Sequence, residues 1–267
     1  MSKELVVKSN YVIEASYKLT LNEQRLILLC VRQIKKGQKI DADSKFDISA
    51  ADFADMFEIS VDRAYSELQT VSDKLYDRSV TIQQPDPDSP NITATKTRWI
   101  SAIDYIPKEG RISIYFASKM VPYISMLEGG FTRYNLINIA GMVSIYGVRF
   151  YEFFKCWQFS NSNTKKIELN ALKEKLELTG KYSSIKDFKL KVLDKAMTDI
   201  NKHSDLIASY KTIKTGRKIT HVTFDFQDRT RQVKSIDNAY IEKHARPGES
   251  YAQAGKRLKE EANKQTG

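Results

Sequence analysis

The chain has 267 residues, 41% of them hydrophobic and 28% charged, which excludes a disordered polymer and leaves room for one large domain or two ordinary ones. No apolar run is long enough to cross a bilayer, and the start Met1-Ser2-Lys3-Glu4-Leu5 lacks the apolar stretch and cleavage site of a secretory signal, so no membrane partner is expected. The formal net charge of +10 divides into −1 over residues 1–130 and +11 over residues 131–267, and a basic half of that kind presents itself to a polyanion.

The first predicted helix follows Thr20, with Glu23 three residues later as a capping box, and runs from Leu21 to Ile34, ended by Gly37. Its centre is apolar nearly all round, so it is expected to be buried. A short strand, Lys45 to Ile48, alternates polar and apolar. Ser49 with Asp52 starts a short helix carrying Phe53, Met56 and Phe57. A longer helix spans Val61 to Tyr76, with Tyr65, Leu68, Val71 and Leu75 in one stripe. Gln84 to Pro90 reads as a polar loop. Pro107 to Gly110 turns the chain into a strand in which Ile112, Ile114 and Phe116 alternate.

The same order then recurs. An apolar helix covers Met142 to Phe159, and a strand covers Lys166 to Leu169. Asn170 can cap a short helix with Leu172 and Leu176, and Thr179-Gly180-Lys181-Tyr182 reads as a turn. Ser184 with Asp187 suggests a further capping box, opening a helix to about Asn201. A hairpin closes the unit: Leu206 to Ile213, a turn at Thr215-Gly216, and Lys218 to Phe226. Helix, strand, helix, helix, hairpin is the order of a winged helix, in which the hairpin covers a core that short helices cannot close alone. Finding it twice predicts a helix-rich α+β fold of two tandem winged-helix domains. The seam is expected near Gly129-Gly130, giving domains over 1–130 and 131–228, with a polar, basic tail over 229–267 as a loose helix or disordered. Cys30 and Cys156, far apart in apolar segments, read as reduced core cysteines.

The basic residues of the second unit fall where a winged helix meets double-stranded DNA. The stripe Ile185, Phe188, Val192, Ala196 and Ile200, with Leu193 beside it, faces inward; at 100° per residue Lys191 and Lys195 point away from it and Lys186 lies at its edge. Lys189 falls toward the core side, so it must snorkel or the helix is rotated. Lys181, Tyr182, Ser183, Lys186 and Lys189 around the first turn are candidates for base edges. The helix contains no arginine, so it lacks the bidentate fork and leans on phosphate anchoring and DNA shape. A solvated amphipathic helix fits the same pattern. Lys211, Lys214, Arg217 and Lys218 around the hairpin turn would lie along phosphates, or would simply solubilise the turn; Lys165 and Lys166 could touch phosphate at the other edge. In the first unit, acidic and basic residues are mixed along the long helix. There Ile112, Ile114 and Phe116 lie on a hairpin whose edge could pair with a second copy, or that covers its own core.

Catalytic patterns are weak. Gly180-Lys181-Tyr182 lacks the first glycine and the hydroxyl residue of a phosphate-binding loop. His203, His221 and His244 are the only histidines and show no metal-ligand spacing, and a tyrosine nucleophile would need a base or metal cluster that the sequence does not display. No enzyme activity, cofactor or metal is expected.

Three segments near the N-terminus, Val7-Lys8-Ser9-Asn10, Ile13-Glu14-Ala15-Ser16-Tyr17 and Leu19-Thr20 with Glu23-Gln24-Arg25-Leu26-Ile27, resemble the plasmid replication initiators of the Rep3 superfamily. Tyr146 with Arg149-Phe150-Tyr151-Glu152, the stretch Phe188-Lys189 through Val192-Leu193 to Ile200-Asn201, and Lys214-Thr215-Gly216-Arg217-Lys218 followed by Phe224 agree with it. The resemblance implies a bacterial cytoplasmic protein whose first winged helix serves dimerisation and auxiliary DNA contact and whose second is the main reader. It further implies monomers on direct repeats at a plasmid origin, opening of adjacent A·T-rich DNA, and recruitment of the host initiator and replicative helicase. Dimers in equilibrium with monomers would bind an inverted repeat and repress the protein's own gene. A transcription repressor with the same domains, and a strand-nicking enzyme, are the alternatives; the missing metal-ligand cluster argues against the second.

Overall fold

The computed structural model describes residues 5–35, 37–57, 60–83, 91–127, 129–158, 163–229, 238–246 and 248–264. The polar loop expected over Gln84 to Pro90 lies outside the described residues, as does Phe159 at the expected end of a helix.

The chain opens with β1 (Leu5–Ser9), whose Val6 and Lys8 both point inward, then α1 (Asn10–Glu14) and the short β2 (Ser16–Tyr17). Next comes α2 (Leu21–Val31), held at its start by the expected reciprocal cap. The Thr20 hydroxyl accepts from the Glu23 amide at 3.3 Å, and the Glu23 carboxylate accepts from the Thr20 amide at 2.8 Å. From Leu26 to Val31 every side chain of α2 is buried, as expected for a helix apolar all round. Then follow β3 (Lys45–Ser49), α3 (Ala50–Phe57) and α4 (Val61–Tyr76). The Ser49 hydroxyl caps α3 by accepting from the Asp52 amide at 2.9 Å. Strands β4 (Ser79–Gln83) and β5 (Ala94–Arg98) join β2 in one sheet, and β6 (Ile100–Ile106) and β7 (Arg111–Phe116) join β3 in another.

After Gly130 the strand β8 (Phe131–Asn135) returns to pair with β1, Val6 opposite Tyr134. The helices α5 (Ile137–Ala140) and α6 (Ile145–Gln158) follow, then β9 (Thr164–Glu168) and α7 (Leu169–Lys175). A long helix, α8, covers 185–203 as Ile185–Phe188, a π turn over Lys189–Leu193, and Asp194–His203. The hairpin β10 (Leu206–Thr215) and β11 (Lys218–Asp228) closes the unit, with Gly216 at φ +61° making the turn.

The two units repeat one plan. In the sheet order β3-β7-β6 the strand between the first helices pairs with the last strand of the hairpin, and the order β10-β11-β9 does the same in the second unit. The tail, expected as loose helix or disorder, contains α9 (Asn238–His244) and α10 (Tyr251–Lys264), which meet at Ile241, Ala254 and Leu258.

One hydrophobic core runs through both units. In the second, Phe150, Phe154 and Trp157 of α6 pack on the hairpin, with the Phe154 and Phe226 rings stacked at 4.7 Å and Phe150 and Phe224 centred 5.1 Å apart. Gly147 lets α6 approach α8, because a Cβ there would stand 2.7 Å from the Asp199 side chain. Both cysteines are buried and free, and burial pushes the Cys156 thiol up to about 12.

The junction between the units is polar as well as apolar. Lys8 of β1 donates to Glu152 of α6 at 2.8 Å with both side chains fully buried; Tyr134 and Gln24 also donate to that carboxylate, at 2.6 and 3.3 Å. Burial, together with the Glu152 charge, holds the Tyr134 phenol well above its ordinary range. Arg149 donates to the carbonyls of Ile13, Ala15 and Lys175 and lies 3.7 Å over the Tyr17 ring. A charge left alone here would be costly, so these groups specify how α6 seats against β1, α1 and α2.

Candidate nucleic-acid interface

The interface is built around α8. Its apolar stripe repeats every four residues, Phe188, Val192, Ala196 and Ile200, and all four are fully buried with Leu193. On a regular α-helix a four-residue repeat drifts by about 40° per step. The π turn over Lys189–Leu193 holds more residues per turn and takes up that drift, so one face stays inward along the whole helix.

The outward face is consequently well defined. Lys186, Lys191 and Lys195 are all exposed on it, as their spacing predicts. Lys189 is half-buried and snorkels, its ammonium 5.8 Å from the centre of the Tyr210 ring on β10. The Tyr210 hydroxyl in turn donates to Asp194 at 2.6 Å, which ties the hairpin to the middle of α8. Leu190 stands 56% exposed among these lysines, four residues after Lys186 and therefore on the same outward face at 100° per residue.

The loop before α8 is held from below. Lys173 of α7 donates to the carbonyls of Lys181 and Tyr182 at 3.3 and 3.0 Å, while Gly180 and Tyr182 adopt positive φ of +76° and +52°. This sets Lys181 and Ser183 outward and leaves Tyr182 half-buried, its ring 6.1 Å from Phe188. The capping box expected from Ser184 and Asp187 does not form, since Ser184 begins the helix without a side-chain cap bond. Lys173 supports this turn instead, a contact between elements that the local pattern cannot contain.

At the hairpin, Lys211, Lys214, Arg217 and Lys218 are all exposed, and the register shifts between Ile213 and Lys214. Such a bulge re-aims the strand beyond it. Lys165 and Lys166 are exposed on β9, at the opposite side of the same sheet, with Lys165 5.5 Å from the Trp157 ring. Among the described residues, none of Lys181, Lys186, Lys191, Lys195, Lys211, Lys214, Arg217 and Lys218 stands within ion-pair distance of a carboxylate. Helix and hairpin thus present free cations around a shape that fits a groove and its flanking phosphates.

Ile112, Ile114 and Phe116 face the core of their own unit. Their strand β7 is the middle of its sheet, hydrogen-bonded to β3 and β6, and their side chains are 0 to 1% exposed in the unit's own core. A strand with both neighbours in place has no edge to offer, so these residues cover their own core and the free edge of that hairpin is β6.

Among the described residues, no group of three or more His, Cys, Asp or Glu is placed to hold a metal. His221 is a strand residue bonded to Thr220, and the His203 ring packs against Gly141. Among the described residues, no helix is long and apolar enough to cross a membrane.

Two family models match the chain. Residues 5–155 match the initiator replication protein WH1 domain, and residues 168–226 match the initiator Rep protein WH2 domain. The chain is 26% identical over 228 residues to an uncharacterised 27.6 kDa protein of Escherichia coli, covering 81% of this chain and 93% of that one. It is 26% identical over 215 residues to a replication initiation protein of Escherichia coli, covering 77% of this chain and 65% of that one. Among solved structures, the Pi initiator protein in complex with iteron DNA superposes with a TM-score of 0.69 at 25% identity, over 85% of this chain and 98% of that chain.

Proposed function

This chain belongs to the plasmid initiator replication (Rep) protein family through both of its winged-helix domains, and on that premise we propose that it binds iterons, the direct repeats of a plasmid origin. The observation that carries the reading is the row of exposed cations shared by α8 and the β10–β11 turn, none of them in an ion pair among the described residues. The Pi initiator, which superposes on most of the chain, is itself bound to iteron DNA in its crystal structure.

In this proposal the second winged helix is the reader. The first turn of α8 enters the major groove with Tyr182, Ser183 and Lys186, where lysine and hydroxyl groups meet base acceptors. Lys191 and Lys195 lie farther along the helix and anchor phosphate. The hairpin tip, with Lys211, Lys214, Arg217 and Lys218, follows the adjacent backbone. The first winged helix assists and carries the contact between copies. Opening of A·T-rich DNA, recruitment of the host initiator and replicative helicase, and repression of its own gene by a dimer complete the role. No chemistry is asked of the protein; it works by occupying and deforming DNA.

Footprinting on the DNA beside the gene tests this reading. The expected result is protection of several direct repeats about two helical turns apart, near 21 base pairs. Protection of one lone palindrome and nothing else contradicts it and assigns the chain to repression alone.

A further inference from the structure

Between the two winged units lies an open cavity of about 240 Å³. Its rim joins residues from both: Lys18 and Leu19 from the first, Lys181 and Tyr182 from the loop before α8, with Tyr17 and Arg149 in the wall. Lys18 is exposed between Tyr17 and Leu19, both buried, so the core fixes where its stem begins. Lys181 is fixed as firmly: its amide donates to the Leu178 carbonyl at 2.9 Å and its carbonyl accepts from Lys173. Two independently anchored lysines from different domains are therefore brought to one cavity mouth.

Among their surroundings one carboxylate, Glu177, acts on the Lys18 ammonium, and it is outweighed. Lys181 itself holds the Lys18 ammonium below the ordinary lysine range, first through their direct contact and then through its charge; Arg78 adds to this and only Glu177 opposes it. Arg149 is already taken up by three backbone carbonyls. A place where two ammonium groups meet with too little counter-charge is a place for a further anion.

We propose that this mouth is a phosphate seat shared by the two domains, in which one backbone phosphate of a bound duplex lies between Lys18 and Lys181. The inference rests on the DNA-binding reading above and deepens it. A phosphate held from both sides makes the angle between the domains part of the binding interface, so duplex binding and domain orientation become linked.

The test uses the full chain on a duplex carrying one direct repeat and on a scrambled duplex of equal length. Log K is followed against log salt for the wild type, Lys18→Gln, Lys181→Gln and the double variant. One shared phosphate predicts that the double variant flattens the slope by about 0.9 in total, not twice that. Single phosphates are then replaced by neutral methylphosphonates. At one and the same position, the replacement should weaken the wild type most, each single variant less, and leave the double variant unaffected. An unchanged slope in the double variant, or single variants that map to different phosphates, overturns the shared seat. Competition by inorganic pyrophosphate that requires both lysines, with an unchanged DNA slope, also overturns it and assigns the mouth to a free anion. Because the slope is read on both duplexes, a failure to prefer the repeat would count against iteron binding and not against the seat.

Discussion

The two winged units share an element order and a sheet topology, yet they carry charge differently, −1 over residues 1–130 and +11 over residues 131–267. In the first, Arg78 pairs with Glu23 at 2.9 Å, Arg98 with Asp77 at 3.1 Å, and Arg111 with Asp47 and Glu109 at 2.9 and 2.6 Å. In the second, the cations of α8 and the hairpin tip face solvent with no ion pair among the described residues. A guanidinium already held by a carboxylate must give it up to take a phosphate, whereas a solvated lysine only exchanges water and a loosely held counterion. The same fold therefore carries balanced charge in one copy and an excess of cations in the other, although, of the described residues, the first unit also has exposed lysines outside any ion pair, Lys18, Lys96 and Lys119 among them.

The comparison can be broken at its root by separating the units. Glu152→Ala leaves Lys8 buried and uncompensated and should cost about 3–5 kcal/mol, read as a lower denaturant midpoint. A loss below about 1 kcal/mol would mean that water reaches the site and the junction is not sealed. Within the second unit, Phe224→Ala removes the ring that packs on Phe150 and Phe154 and should cost about 3–5 kcal/mol.

Two charge experiments sharpen the contrast. Neutralising Lys211, Lys214, Arg217 and Lys218 together should flatten the salt dependence of DNA binding by roughly 3–4 units of slope, and Lys191→Ala with Lys195→Ala by about two. Replacing Arg98 and Arg111 of the first unit, both already paired, should leave the slope unchanged. Equal effects from the two sets would erase the distinction between the units. Lys186→Ala should relax discrimination among sites, and a uniform loss across sequences would make it another phosphate anchor.

The smallest effect concerns pH. Burial would raise the Glu14 carboxyl, but the Lys175 charge and hydrogen bonds from Trp157 and Lys175 outweigh it and leave the group below its ordinary value. A lowered carboxyl contributes stability that is present above its unfolded value and is lost as pH falls through the folded one. Glu14→Gln should therefore reduce stability at neutral pH and flatten the acid side of the stability curve. An unaltered acid limb would show that Glu14 is not linked to folding.

Much of this arrangement is legible in the sequence because it rests on periodicity. The stripe of α8, the alternation in β7 and β11, and the cap at Thr20 are local patterns, and each is present in the structure. What escapes is set by distant partners. β1 reads poorly as a buried strand because Lys8 interrupts it, and Lys8 turns inward only because Glu152 waits 144 positions away. The motifs that carry the family resemblance, around Lys8, Gln24 and Arg149 to Glu152, largely form this junction and not the cationic surface. On the surface itself, the lysines of α8 are readable from 100° spacing. The outward Leu190 follows from the same spacing, whereas the meeting of Lys18 with Lys181 depends on domain packing. The place of Ile112, Ile114 and Phe116 on a middle strand escapes for the same reason, since alternation shows a strand's inner face but not whether both of its edges are taken.

The central claim is that the free cations of the second winged helix read repeated DNA. The most direct measurement compares binding of the full-length protein to one repeat and to a scrambled duplex at two salt concentrations, alongside a variant lacking the charges of Lys186, Lys191 and Lys195. The account predicts a clear preference for the repeat in the wild type, weaker binding at higher salt, and loss of both affinity and preference in the variant. Equal binding of the two duplexes by the wild type, or a variant that keeps its preference, would contradict it.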